Sequence, residues 1–204
     1  GECTDYAVNS HLIRGIEAIK PLVVGTDPKN IEEIWQRIFH VNSDLNPRGY
    51  ISHLISAIDI ALWDIKGKVL GVPIYDLLGG ALRDSVPLYT HVRDLSGGQG
   101  ITTMQEEARL TIEAGFQAIK TDPFPSRRTM GEKYYGANMV ERMEPKAISE
   151  AVDWMDALRE TVGPDYEILV DAHARMDVAS AIKAANAIEH VNLVWFEEPT
   201  HVEN

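Results

Sequence analysis

Cysteine is almost missing from this chain: among 204 residues, Cys3 is the only one. That excludes an intrachain disulfide and a thiolate metal cluster, and a reducing cytoplasm is the simplest expectation. Positive charge is also scarce, with 19 Lys and Arg against 31 Asp and Glu, a net charge of −12 and a pI near 5.0. Phosphate neutralisation needs a basic face, so nucleic acid is not an expected partner. No apolar run approaches membrane-spanning length, and no membrane partner is expected. The fingerprints of nucleotide sites are missing too. No GxGxxG follows the first strand, and Gly97-Gly98-Gln99-Gly100 lacks the Lys-Ser/Thr of a P-loop. Gly1 stands where an initiating Met would, which reads as a natural start lying upstream unless processing exposed it.

What is present gathers between Ile168 and Glu198. Ile168-Leu169-Val170-Asp171-Ala172-His173 and Val194-Trp195-Phe196-Glu197-Glu198-Pro199 are two short apolar runs, each ending in carboxylates. Their separation suits one parallel βαβ unit. Strands buried on both faces read as continuous apolar runs, so acids at their C-terminal ends are out of keeping with a core. They sit where (β/α) barrels keep their chemistry. A lone Asp at a strand end is often a helix cap. Two acids one unit apart, with His173 two residues after Asp171, favour a site: half of a divalent-cation centre with oxygen ligands.

The rest of the chain supports that frame. Helical spacing predicts helices over 12–22, 31–39 and 50–69, the last with a stripe of Ile51, Leu54, Ile55, Ile58, Leu62 and Ile65. Asp27 and Pro28 read as a cap and first turn for the second of these. Gly71-Val72-Pro73 stops the long helix, and one more turn precedes Gly79-Gly80. The rhythm then changes, placing a domain boundary near residue 82. Strands are predicted over 86–92 and 116–120, with a helix over 103–114 closed by Gly115. A glycine-rich turn is read at Ser96-Gly97-Gly98, and a polar turn over 42–49. A long polar segment with Arg127, Arg128, Tyr134 and Tyr135 precedes a helix over 145–162. Segments of that length are commonly functional or mobile, so Arg127, Arg128 and Tyr134 are candidates for a lid, against plain exposed solvation of each one singly. The expected fold class is α/β, with residues 82–204 forming four parallel strands and their helices.

These motifs together resemble the enolase superfamily, in its mandelate racemase/muconate lactonizing enzyme branch and the acid-sugar (galactonate-type) dehydratases within it. The residues that carry the resemblance are Ala57-Ile58-Asp59-Ile60-Ala61-Leu62-Trp63-Asp64-Ile65-Lys66-Gly67, Pro73-Ile74-Tyr75-Asp76-Leu77-Leu78-Gly79-Gly80, Val170-Asp171-Ala172-His173 and Trp195-Phe196-Glu197-Glu198-Pro199. The resemblance implies the helical part of an α+β capping domain at 1–81 and the first half of a (β/α) TIM-type barrel at 82–204. It implies a longer parent protein, a homo-oligomer, Mg²⁺ as cofactor and a small-molecule sugar acid as substrate. Asp171 and Glu197 would be two of three metal ligands, the third lying on a fifth strand, and His173 the general acid toward a leaving hydroxyl. Racemase-type members carry Lys-x-Lys on the second strand. This chain has Lys120-Thr121-Asp122, so Lys120 and Asp122 become candidate catalytic residues, with no inner ammonium base.

The implied chemistry is physically coherent. A proton α to a carboxylate is poorly acidic, and a divalent ion on those oxygens stabilises the ene-diolate left by its removal. An imidazole can then protonate a departing β-hydroxyl near neutral pH. The leading expectation is a Mg²⁺-dependent dehydratase turning an aldonate into a 2-keto-3-deoxy acid. The alternatives are a racemase or epimerase of a 2-hydroxy acid, and a ligand-binding relative without catalysis.

Overall fold

A computed structural model of the chain describes residues 1–3, 9–42, 49–92, 100–124 and 142–201. The turns read at 43–48 and 96–98, and Arg127, Arg128, Tyr134 and Tyr135, lie outside the described residues. Gly1–Asp84 and Ser85–Asn204 form two compact units.

The first unit is helical: α1 (Asn9–Val23), α2 (Ile31–Val41), α3 (Tyr50–Leu70) and the single turn α4 (Ile74–Leu77). Apolar residues at helical spacing converge in one core, with Leu12 and Ile19 from α1, Ile31, Ile34 and Ile38 from α2, and Ile51, Leu54, Ile55 and Leu62 from α3. Gly15 permits the close approach of α1 and α3, because a Cβ there would meet the Tyr50 hydroxyl at 1.9 Å. That hydroxyl donates to the His11 carbonyl at 2.7 Å. Two details differ from expectation. Asp27 does not cap α2; its Oδ1 accepts from Lys29 N–H at 2.9 Å in a local turn, and the helix starts after Asn30. Ile65, assigned to the apolar stripe of α3, is exposed, because the core of this unit ends at Leu62.

The second unit alternates strand and helix. Its strands are β1 (Thr90–His91), β2 (Ala118–Thr121), β3 (Glu167–Asp171) and β4 (Trp195–Glu197), and its helices α5 (Ile101–Glu113), α6 (Pro145–Val162) and α7 (Val178–Ile188). The sheet order is β1-β2-β3-β4, every pair parallel, which is the α/β architecture of a (β/α) barrel. Strand β1 is shorter than the predicted 86–92. Its register pairs Thr90 with Ile119, so residues before Tyr89 run past the start of β2 and meet no ladder partner there.

The pleat divides the sheet into two faces. Ile119, Thr121, Ile168, Val170 and Phe196 lie on the helical side. Buried Met104, Ala108, Trp154, Met155, Leu158, Ala184 and Ile188 fill the space against them. Even the polar atoms there are matched, since Trp154 Nε1 donates to Thr121 Oγ1 at 3.1 Å. Arg159 closes the lower end, donating to the carbonyls of Val191, Gly163 and Tyr166 and so joining α6 to the approaches of β3 and β4. Lys120, Leu169, Asp171, Trp195 and Glu197 take the opposite face. The strands therefore deliver one cation and two carboxylates to one side of the sheet.

Candidate active site

The register places Asp171 directly beside Glu197 at the C-terminal ends of β3 and β4. Lys120, which ends one step earlier on β2, reaches across to both. Its Nζ lies 3.2 Å from Asp171 Oδ2 and 2.9 Å from Glu197 Oε2. Trp195 Nε1 also donates to Glu197 Oε2, at 3.1 Å, and the Tyr89 ring centroid lies 5.5 Å from the ammonium. Burial works against the charge on Lys120, but hydrogen bonds to Glu197 and Asp171 outweigh it and raise its pKa above the ordinary lysine value. Lys120 is therefore a fixed cation. One ammonium against two carboxylates leaves the cluster one negative charge in excess.

Beyond Asp171 the chain leaves the sheet abruptly. His173 and Ala174 adopt φ of 52° and 54°, and Glu198 on the neighbouring strand end has φ of 40°. Backbone hydrogen bonds hold this left-handed turn: Ala172 N–H to Glu197 O at 3.0 Å, Ala174 N–H to Glu198 O at 2.7 Å, and Met176 N–H to Pro199 O at 3.1 Å. His173 N–H donates to Asp171 Oδ1 at 3.0 Å. The imidazole does come beside Asp171, Nδ1 lying 3.6 Å from Oδ1. It does so through the turn and not through the two-residue repeat of an extended segment, which ends at Asp171.

The strain of that turn makes a test. An L-residue in the left-handed region costs about 1–2 kcal/mol, and glycine avoids it at some entropic cost. Ala174→Gly should therefore raise stability by up to about 1 kcal/mol in urea unfolding. A loss of stability would mean that the Ala174 methyl contributes packing that outweighs the strain.

Asp122 follows β2. Its Oδ2 lies 3.1 Å from His173 Nδ1, and its Oδ1 accepts from Phe124 N–H at 3.1 Å and from the Arg175 guanidinium. The hydrogen bond with Asp122 raises the His173 pKa. Burial and Arg175 oppose that rise, and the charges of Asp171 and Asp122 add to it. The four sequence-predicted positions around the imidazole and the carboxylates, Lys120, Asp122, Asp171 and Glu197, thus all converge on the neighbourhood of His173. Arg175 was not anticipated, because it reaches Asp122 through the turn beyond β3 and not through a strand repeat.

Hard carboxylate oxygens with excess negative charge are a donor set suited to Mg²⁺. Among the described residues no group of three or more His, Cys, Asp or Glu side chains is arranged to hold a metal ion, so this unit offers the two oxygen donors of Asp171 and Glu197 and not a full coordination set. The Lys120 ammonium already stands where a cation is attracted.

Comparison with known proteins places the chain in a family. Residues 103–204 match the family described as Enolase C-terminal domain-like, and residues 1–79 match the mandelate racemase/muconate lactonizing enzyme N-terminal domain. A D-galactonate dehydratase family member from Streptomyces bingchenggensis is 35% identical over 98% of this chain and 50% of its own length. Another from Pantoea ananatis is 33% identical over 98% of this chain and 51% of its own. The chain thus spans about half the length of these curated relatives. A crystal structure of a mandelate racemase/muconate lactonizing enzyme-like protein from Rubrobacter xylanophilus superimposes with a TM-score of 0.85 at 32% identity, covering 100% of this chain and 54% of that one. With both domains matched and the fold shared, the chain belongs to the mandelate racemase/muconate lactonizing enzyme branch of the enolase superfamily.

Proposed function

We propose that the protein is a Mg²⁺-dependent dehydratase that converts an aldonate into a 2-keto-3-deoxy acid. The observation that carries this reading is the placement of two carboxylates on adjacent parallel strand ends, on one face of the sheet, with an imidazole 3.6 Å from one of them. The names of the galactonate dehydratase relatives support the substrate class.

Asp171 and Glu197 would hold the metal. Bound there, Mg²⁺ supplies positive charge to the oxygens of a substrate carboxylate and so acidifies its α-proton. Lys120 keeps the two carboxylates together. Asp122, engaged by Arg175 and His173, is not a base. His173 acts on the other side of the reaction. As a general base from outside this set of residues takes the α-proton, the β-carbon–oxygen bond breaks and the hydroxyl takes a proton from His173 to depart as water. The enol that remains tautomerises to the 2-keto acid.

The test is a panel of aldonates offered to the full-length protein with Mg²⁺, read by 2-keto acid formation. A strong hit on one configuration is expected. Exchange of the α-proton without water loss on every acid would replace this reading with racemisation or epimerisation. Tight Mg²⁺-dependent binding without turnover would replace it with a ligand-binding role.

A further inference from the structure

Behind His173 lies a buried ion pair that the proposed reaction does not itself consume. Asp122 is 2% exposed and Arg175 3%. The guanidinium spends Nε on the Ala172 carbonyl at 2.9 Å and Nη1 on the Phe124 carbonyl at 3.2 Å, and donates through Nη2 to Asp122 Oδ1. Phe124 N–H donates to the same oxygen. One carboxylate oxygen is therefore committed to two donors anchored in the backbone frame. The other, Oδ2, faces His173 Nδ1. A carboxylate accepts and cannot donate, so the ring nitrogen opposite it carries hydrogen. That leaves Nε2 as the nitrogen able to pass a proton.

We infer that Asp122, clamped by Arg175, is the positioning residue that fixes the ring plane of His173 and keeps hydrogen on Nδ1, so that the imidazolium gives its proton from Nε2 and is left as the Nδ1–H tautomer. The inference rests on the reading of His173 as proton donor to the leaving hydroxyl. The left-handed turn sets the backbone of His173, and the carboxylate sets its ring, so neither rotation about the side chain nor exchange of the two nitrogens is open to it. Net stability is a weak account of the pair, because a buried ion pair is often no better than apolar side chains of the same volume. What the pair does hold is the orientation of an imidazole beside two strand-end carboxylates.

The same geometry predicts what Asp122→Asn does. Arg175 Nη2 and Phe124 N–H are both donors, so they retain the amide oxygen at the Oδ1 position. The amide NH₂ is then forced toward His173 Nδ1, which must accept. The neutral ring then carries its hydrogen on Nε2, and the imidazolium that would give it up is disfavoured because its Nδ1–H would face the amide NH₂; the same exchange of tautomers in the Ser-His-Asp triad costs about 10⁴ in kcat.

The experiment compares Asp122→Asn, Arg175→Lys and His173→Asn in the full-length protein on its best aldonate. For Asp122→Asn, kcat for water loss should fall by about 10²–10⁴ while KM changes by less than about threefold. Exchange of the substrate α-proton with D₂O should persist. An analogue bearing chloride in place of the β-hydroxyl needs no proton to leave, and its turnover should return to within about tenfold of the unsubstituted enzyme. Arg175→Lys keeps the buried charge but loses the fork, and should show the same pattern with a kcat loss of about tenfold. It also carries the test if Asp122→Asn does not fold. A loss of kcat in Asp122→Asn under about threefold, with His173→Asn inactive in dehydration, overturns the inference and leaves the function standing. So does a loss that chloride fails to relieve, or an unchanged kcat in Arg175→Lys. Full dehydration by His173→Asn overturns the functional reading itself.

Discussion

Asp171→Asn is expected to lower dehydration by about 10³-fold or more and to remove the Mg²⁺ dependence of the melting temperature. The substitution keeps shape and discards one charge. Asp171 is 8% exposed and Glu197 lies beside it in register, so their shared field is poorly screened. With both ionised, the Lys120 ammonium leaves one negative charge over, and that excess is what a divalent cation answers. With Asn at 171, Lys120 and Glu197 balance each other and the attraction disappears. The metal-free protein should remain folded. Lys120 retains Glu197 at 2.9 Å, and the Asn side-chain oxygen can still accept from His173 N–H, as Asp171 Oδ1 does at 3.0 Å. Thermal melts with and without Mg²⁺, and calorimetric titration of the metal, separate the two effects. A variant that still gains several degrees on adding Mg²⁺ would place the cation elsewhere.

How far the site could be read before the fold was known depended on whether each partner was local. Asp171 and Glu197 were legible because a parallel strand buried on both faces has no reason to end in a carboxylate. Both strands end at those residues, and pairing them required only one βαβ crossover. The alternation of β4 was equally legible, since Trp195 and Glu197 do share a face and meet through an indole hydrogen bond. Lys120 and Asp122 were placed correctly in the chain but with no indication of what they face. The partners of Lys120 lie on β3 and β4, and Asp122 is tied to Arg175, a residue of the turn beyond β3. No local pattern specifies such long-range contacts. His173 shows the opposite case. Its nearness to Asp171 was anticipated for the wrong reason, because consecutive positive φ angles at His173 and Ala174 are unusual for non-glycine residues. In the first unit, the helices followed from apolar spacing, whereas the end of the core at Leu62 and the turn at Asp27 depended on what surrounds them.

His173→Asn should leave a folded protein that binds substrate, exchanges its α-proton and loses water about 10²–10⁴ times more slowly. Asparagine retains the backbone N–H that bonds Asp171 and removes the ring that bonds Asp122, so the loss falls on proton delivery. Stability supplies a second, independent measurement, taken without metal. The hydrogen bond with Asp122 holds the His173 pKa above its ordinary 6.5, with the Asp171 and Asp122 charges assisting and burial and Arg175 opposing. A group whose pKa is raised on folding binds its proton more tightly in the native state. Its contribution is therefore fully present below about pH 6.5 and is lost as pH rises through the elevated folded value. Urea unfolding of the metal-free protein should accordingly show a decline from pH 6 toward pH 9 that His173→Asn flattens. Steepening of the decline would mean that the imidazole is held neutral in the folded protein, and the proton it is asked to give would have to come from another group.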